Sequence, residues 1–196
     1  MVEVTITADG SCIGNPGPGG WACILRCGEQ TRELSGGDHE TTSNRMELMA
    51  AIEGLRALKV SCRVRLVSDS QYLKKGITEF LPRWKANGWV RADGEPVLNQ
   101  DLWDQLDQIA QNHEIKWEWI AGHGDHADQN RADQLGLQAA RVQATRQASY
   151  PSFVECRRSR ARLHRVRRHR LMPQFNVGRP GHSHLKATIG STPAAR

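Results

Sequence analysis

Residues 1–20 read MVEVTITADGSCIGNPGPGG, and this stretch decides how the rest of the chain is interpreted. Apolar and polar residues alternate over residues 2–8, which is typical of a strand with one buried face. The strand is expected to end at Asp9, and the Gly and Pro residues between positions 10 and 20 predict a turn. An Asp beside such a turn is more often a structural cap than a catalytic group, so Asp9 has to be judged together with carboxylates further along.

Charge divides the 196-residue chain into two parts. Residues 1–144 hold 15 Lys and Arg against 20 Asp and Glu, a net charge of −5, whereas residues 145–196 hold 12 against 1, a net charge of +11. The second part is rich in Arg and His and has little apolar periodicity, which predicts a disordered tail rather than a second folded domain. The tail would either bind nucleic-acid phosphates or be an inert extension, and its composition favours neither.

Composition excludes several classes of protein. Hydrophobic residues make up 38% of the chain, enough for a core, yet no run approaches the roughly 18 apolar residues of a membrane helix. The five cysteines are odd in number and lack CxxC spacing, which argues against a disulfide scaffold and a structural zinc site. The first residues lack the basic and apolar regions of a signal peptide, so we expect a cytoplasmic protein that binds no membrane.

Strand and helix signals alternate after the first turn. Residues 21–26 and 30–34 predict two short strands, which would form an antiparallel meander with the first. Thr and Ser residues then cap a helix over residues 43–58, with Glu47 beside its apolar stripe. A Glu near the start of a helix is usually only a favourable charge on the helix dipole, so Glu47 alone indicates little.

The next predicted strand, over residues 64–68, leads into an acid as the first one does, here Asp69. Adjacent parallel strands bring their C-terminal ends together, which is where sites in open α/β sheets lie. A short helix over residues 70–77, a longer helix over 98–111 and a strand over 115–119 follow. The last predicted helix carries Asp133 at the margin of its packing stripe.

Tryptophan and basic residues alternate in the segment FLPRWKANGW, residues 80–89. Interleaved aromatic and cationic side chains on a projecting loop suit stacking on bases and contact with phosphates. A surface hairpin anchored by tryptophan would show the same pattern. The segment alone does not separate these two interpretations.

Six motifs within residues 1–144 carry a family resemblance: TADGSCIGNPGPGGWA, TTSNRMELMAAIEGL, VSDSQYL, GITEFLPRWKANGW, NQDLWDQL and WEWIAGHGDHADQNRADQLG. Together, and in this order, they resemble bacterial ribonuclease H type 1. The resemblance does not include the tail. It implies an α/β fold of the ribonuclease H type, with a five-stranded mixed sheet flanked by helices. It also implies a monomeric endonuclease that hydrolyses the RNA strand of RNA/DNA hybrids.

The resemblance assigns roles to individual residues. It implies that four acids form the catalytic centre and bind metal: Asp9, Glu47, Asp69 and Asp133. It implies that His123 assists turnover. It further implies contacts with the hybrid from seven residues: Cys12, Asn15, Thr42, Asn44, Gln71, Phe80 and Trp84.

Four carboxylates in one place predict a divalent cation, because their mutual repulsion is costly unless positive charge neutralises it. Mg²⁺ is the expected cofactor, with Mn²⁺ as a substitute, since Mg²⁺ prefers oxygen ligands and is commonly completed by substrate phosphate. Two ions about 3.5–4 Å apart would act on the two sides of the scissile phosphorus. The expected products have 5′-phosphate and 3′-hydroxyl ends, and the 2′-hydroxyl serves recognition.

The chain departs from the family pattern at two places. The usual Asn-Glu pair before Asp133 is replaced by Gln129 and Asn130, which removes one carboxylate, and Phe80 stands where the family often has Trp. Other nucleases of this fold and a non-catalytic hybrid-binding module are the alternatives. The presence of all four acids together with His123 argues against the binding module.

Overall fold

A five-stranded mixed sheet forms the centre of the protein. The structure, a computed structural model, describes residues 1–122 and 124–149. The strands are β1 (Val2–Cys12), β2 (Gly17–Cys27), β3 (Gln30–Thr41), β4 (Cys62–Ser68) and β5 (Glu114–Trp119). They lie in the order β3-β2-β1-β4-β5, antiparallel among β1, β2 and β3 and parallel from β1 through β4 to β5. The predicted fold class is thereby confirmed.

Helices pack on both faces of the sheet. They are α1 (Ser43–Arg56), α2 (Gln71–Lys75), α3 (Leu81–Ala86), α4 (Gln100–Ala110) and α5 (Ala127–Ser149), with a π-helical turn (Gly76–Phe80) between α2 and α3. Helix α1 packs on β1 and β2 and against α4, whereas α5 packs on β1, β2 and β3. Within the described ranges, no helix is long and apolar enough to cross a membrane.

The alternation in β1 sends its side chains to opposite faces of the sheet. Val4, Ile6 and Ala8 are buried in the main apolar core, which they share with residues of α1 and α4. Thr7 is also buried, but it points to the other face, where the start of α5 lies. Asp9 follows Thr7 on that second face. The period of two in the sequence therefore places the first acid opposite the main core.

Strand β1 continues beyond Asp9, so the predicted strand end was wrong. Parallel pairing with β4 stops at Thr7 and Val67. Antiparallel pairing with β2 continues to Cys12, opposite Gly19. Asp9 is therefore held by a strand on one side only, immediately after the last parallel pair. This position leaves its carboxyl group next to the C-terminal end of β4.

The predicted glycine-rich turn is shorter than expected, because β2 begins at Gly17. The glycines that follow serve close packing: a Cβ at Gly20 would lie only 2.2 Å from the carbonyl oxygen of Gly136 in α5. Pro18 is tolerated in this strand because the β2–β3 register shifts beside it, and bulges accept proline. Some of these glycines are thus explained by close packing against a neighbouring backbone, and not by a turn of the chain.

The segment after β4 is more helical than predicted. The predicted helix ended at residue 77 and a projecting loop was expected after it, yet the chain passes from α2 through the π-helical turn into α3. In that turn the N–H of Leu81 bonds to the carbonyl of Gly76, and Pro82 then stands in the first turn of α3, where its missing donor is not needed. The first part of the tryptophan-rich segment is therefore itself helical.

Candidate active site

Four acids from four different elements line one pocket of about 350 Å³. Asp9 comes from β1, Glu47 from the second turn of α1, Asp69 from the residue after β4, and Asp133 from α5. The structure thus brings together all four acids that the sequence analysis singled out. Because each lies on a different element, the pocket forms only when the sheet and both helices are packed.

Glycines at two positions allow the acids to approach. A Cβ at Gly10 would lie 2.2 Å from the backbone nitrogen of Glu47, so β1 and the start of α1 are in direct backbone contact. A Cβ at Gly122 would lie 2.6 Å from Oδ2 of Asp69. Any larger residue at either position would have to displace one of the acids.

Burial and mutual repulsion raise the pKa values of two of the acids into the physiological range. Asp9 is 8% exposed, and burial raises its pKa to about 7, with further increases from the charges of Asp69, Asp133 and Glu47. The N–H of Gly10 donates to Oδ1 of Asp9 at 2.8 Å and partly opposes this increase. Burial likewise raises the pKa of Glu47 to about 7, and the Asp69 charge adds to it.

The donor set fits a hard divalent cation, because carboxylate oxygens are the ligands that Mg²⁺ prefers. Burial and neighbouring carboxylates raise the pKa values of Asp9 and Glu47, and a divalent cation bound among them would lower both. Within residues 1–122 and 124–149, no three Asp, Glu, His or Cys side chains stand close enough together to form a metal site in this arrangement.

Ser70 orients Glu47, and the sequence analysis missed this role. Its hydroxyl accepts a hydrogen bond from the N–H of Leu73 at 3.0 Å, which caps α2, and donates to Oε2 of Glu47. This donation opposes the increase in the pKa of Glu47. The capping signal was visible in the sequence, but the contact with α1 depends on tertiary packing.

If the four acids bind metal and cleave hybrids as the resemblance implies, Ser70→Ala should reduce cleavage about tenfold or more, because partners that orient metal-binding carboxylates typically contribute 10–100-fold. Loss of the cap should also cost about 1 kcal/mol of unfolding free energy. Without the hydroxyl donor the pKa of Glu47 rises further, so the pH profile of kcat/KM should move to higher pH. Ser70→Thr keeps the hydroxyl and should restore both activity and profile, whereas an unchanged Ser70→Ala profile would contradict the role.

Three of the predicted substrate contacts lie near the start of α1: Cys12, Asn15 and Thr42. Thr42 caps α1 by accepting from the N–H of Arg45 at 3.4 Å, and Oδ1 of Asn15 accepts from the N–H of Ser43 at 3.4 Å. Cys12 lines the acid pocket, and burial raises the pKa of its thiol. Ser43, which the sequence analysis did not single out, lines the same pocket.

The other predicted contacts lie outside the lining of the acid pocket. Asn44 and Gln71 are exposed at the starts of α1 and α2. Phe80 and Trp84 stack in the tryptophan-rich segment, with ring centroids 5.6 Å apart, and Trp84 also contacts the fully buried ring of Trp103 at 5.6 Å. Trp84 is thus anchored to the core, and Phe80 is 37% exposed.

The predicted catalytic His123 lies outside the described residues. Gln129 and Asn130, which replace the usual Asn-Glu pair of the family, line the acid pocket. Asn130 is exposed, and its Nδ2 donates to the carbonyl of Gly124 at 3.2 Å. Gln129 is only 3% exposed.

Comparison with known proteins gives consistent matches. The RNase H family model matches residues 1–141. Ribonuclease H of Solibacter usitatus is 54% identical over 144 residues, which are 74% of this chain and 99% of that protein. Ribonuclease H of Halorhodospira halophila is 58% identical over 130 residues, 66% of this chain and 87% of that protein. The crystal structure of LC9-RNase H1, a type 1 RNase H with the type 2 active-site motif, superposes with a TM-score of 0.66 at 30% identity and covers 73% of this chain and 74% of that one.

Proposed function

This chain belongs to the ribonuclease H family, and we propose that it hydrolyses the RNA strand of RNA/DNA hybrids as an endonuclease. The observation that carries the proposal is the convergence of Asp9, Glu47, Asp69 and Asp133 on one pocket. A pocket of carboxylates at the end of parallel strands suits phosphodiester hydrolysis with oxygen-liganded cations. The products would carry 5′-phosphate and 3′-hydroxyl ends.

The four acids would hold two Mg²⁺ ions, with Mn²⁺ as a substitute. Bound there, the cations would supply positive charge to the scissile phosphate and acidity to an attacking water. The N–H of Gly10 and the hydroxyl of Ser70 keep carboxyl oxygens of Asp9 and Glu47 in fixed positions. Fixed carboxylates cost little reorganisation when the hybrid binds.

Substrate recognition in this proposal uses the residues around the acid pocket. Cys12, Asn15 and Thr42, with Asn44 and Gln71, offer small polar groups for the minor groove of the hybrid, where the 2′-hydroxyl both donates and accepts. A second set of residues supports this recognition: His123 would assist turnover, and Phe80 and Trp84 would stack against the substrate.

One experiment tests the proposal directly. RNA/DNA hybrid, RNA/RNA and DNA/DNA duplexes of one sequence are incubated with the protein and Mg²⁺, and the strands are separated on a denaturing gel. We expect cleavage of the RNA strand of the hybrid and of no other strand. Cleavage of DNA duplexes would favour another nuclease of this fold, and hybrid binding without cleavage would indicate a binding module.

The domain boundary is also part of the proposal, with a catalytic domain over residues 1–144 and the basic tail over 145–196. Truncation after Ala148 should leave a protein that melts cooperatively and remains a metal-dependent nuclease, because every element of the acid pocket is retained. A truncated protein that does not fold would contradict this boundary.

The same truncation decides between the two interpretations of the tail. If its 12 basic residues contact phosphates, the full-length chain should bind hybrids more tightly at low salt and lose affinity more steeply as salt is added. The effect would fall on KM rather than on kcat, since the tail supplies no group to the acid pocket. Equal salt slopes for the two proteins would identify an inert extension.

A cytoplasmic location and a monomeric state complete the proposal. Cys12, Cys23, Cys27 and Cys62 are free thiols, which suits a reducing compartment. One chain supplies all four acids of the pocket, which supports a monomeric enzyme.

A further inference from the structure

Gln129 is buried, yet its side-chain amide has no hydrogen-bond partner in the part of the chain that the structure describes. It lies in the first turn of α5 and is 3% exposed. Both Oε1 and Nε2 are shielded from solvent, and neither has a hydrogen-bond partner among residues 1–122 and 124–149. Buried side-chain amides are normally hydrogen-bonded, and leaving one unpaired is costly, so this position calls for an explanation.

Gln129 lines two pockets. On one side is the acid pocket, which it lines together with Asp9 and Asp133. On the other side is a second pocket of about 310 Å³, which it lines together with Thr7 and His126. Gln129 and Asp133 therefore border the same pocket.

Asp133 is the next acid after Gln129 along α5, one helical turn later in the sequence. Residues four apart on a helix are neighbours on its surface, and a Gln amide can donate to an Asp carboxylate at this spacing. In the present arrangement this bond is not made, because Nε2 of Gln129 has no partner in the part of the chain that the structure describes.

We propose that Gln129 is a positioning residue for Asp133. When the acid pocket takes up divalent cations, Nε2 of Gln129 donates a hydrogen bond to the Asp133 carboxylate and fixes its orientation. The unpaired amide of Gln129 is thus available to bond Asp133 when cations are bound. This inference rests on the proposed function, because it requires the acid pocket to bind divalent cations.

The test compares Gln129→Met with wild type, using Mg²⁺ alone as the probe. Met has nearly the same length and no donor, so an unpaired buried amide is replaced by an apolar group. We expect an unchanged or higher Tm in EDTA, together with a Mg²⁺ dissociation constant about tenfold weaker by calorimetry. The increase in Tm on adding Mg²⁺ should shrink accordingly. A purely structural role would lower Tm equally with and without Mg²⁺.

Three further variants complete the test. Gln134→Met changes an exposed glutamine of the same helix and should match wild type in Mg²⁺ affinity. Gln129→Asn retains a donor on a shorter side chain and should lose less affinity than Gln129→Met. Gln129→Leu carries the same expectation as Gln129→Met, so the test does not depend on the folding of one variant.

The outcomes separate this inference from the proposed function. Mg²⁺ affinity within twofold of wild type in Gln129→Met or Gln129→Leu, or an equal loss in Gln134→Met, would overturn the role of Gln129 and leave the proposed function intact. A wild-type protein that neither binds Mg²⁺ nor cleaves hybrids would overturn both.

Discussion

Asp9→Asn is expected to abolish hybrid cleavage and at the same time to stabilise the fold at pH 8. Asp9 is the most buried of the four acids, at 8% exposure, and the charges of the other three raise its pKa further. Loss of a carboxylate that binds metal should reduce the rate by more than about a hundredfold, since residues that only orient such ligands already contribute 10–100-fold. Asp69→Asn should have a similar effect on the rate.

The gain in stability follows from the direction of the pKa shift. The pKa of Asp9 is raised from an ordinary 3.8 to about 7 in the folded protein, so the folded state binds a proton more tightly than the unfolded state. Unfolding free energy therefore falls as the pH rises from about 4 to about 7, and the full cost is present above pH 7. Asn carries no charge, so Asp9→Asn should gain on the order of 3 kcal/mol at pH 8 and almost nothing at pH 4.

Denaturant unfolding in EDTA at pH 4 and pH 8 checks this expectation. Asp93→Asn is the matched control, because Asp93 is exposed and lies outside the lining of the acid pocket. It should change neither the rate nor the pH dependence of stability. An Asp9→Asn variant that cleaves hybrids at a near-normal rate would place the active site elsewhere, and equal gains at both pH values would contradict the electrostatic origin.

Gly10→Ala should damage both stability and activity, although it adds only one methyl group. Its Cβ would lie 2.2 Å from the nitrogen of Glu47 and 2.4 Å from the carbonyl carbon of Met46, both of them backbone atoms. Backbone cannot rotate away as a side chain can, so β1 and α1 must separate. Forced overpacking of this kind typically costs about 1–3 kcal/mol. The separation also moves Asp9 away from Glu47, so cleavage should fall about a hundredfold, as misplacement by about 1 Å can.

Gly136→Ala provides the comparison for Gly10→Ala. Around Gly136 in α5 a Cβ would have its nearest neighbours at 3.5–3.9 Å, which is ordinary van der Waals contact. Ala also favours a helix over Gly by roughly 0.5–1 kcal/mol, so this variant should be neutral or more stable. Thermal melts and hybrid cleavage assays on both variants measure the contrast. A Gly10→Ala protein as stable and active as Gly136→Ala would contradict the close contact between β1 and α1.

The sequence was sufficient to predict which carboxylates meet, but not which side chains orient them. Asp69 follows a strand with clear alternation, and parallel strands end at one edge of a sheet, so its place beside Asp9 could be predicted. Ser70 could be predicted as a cap from local sequence alone. Its hydrogen bond to Glu47 could not, because that contact joins two elements whose relative position depends on the packed core.

The end of β1 and the roles of individual glycines could not be predicted from the sequence either. The end of β1 depends on its partners: β4 stops pairing at Thr7, and β2 continues to Cys12. No local pattern distinguishes a glycine that reverses the chain from one that admits a neighbouring backbone, as Gly20 does for α5. The burial of Gln129 was equally hidden, because a glutamine in the first turn of a helix is usually solvated.

If the four acids form a cation-dependent centre that cuts RNA in hybrids, cleavage requires both a divalent cation and Asp9. The most direct measurement uses a hybrid with distinct labels on its RNA and DNA strands, incubated with wild type and with Asp9→Asn, first in excess EDTA and then after addition of Mg²⁺. The account predicts no cleavage in EDTA, cleavage of the RNA strand alone once Mg²⁺ is added to wild type, and none with Asp9→Asn. RNA cleavage by wild type in excess EDTA, or cleavage of the DNA strand, would contradict it.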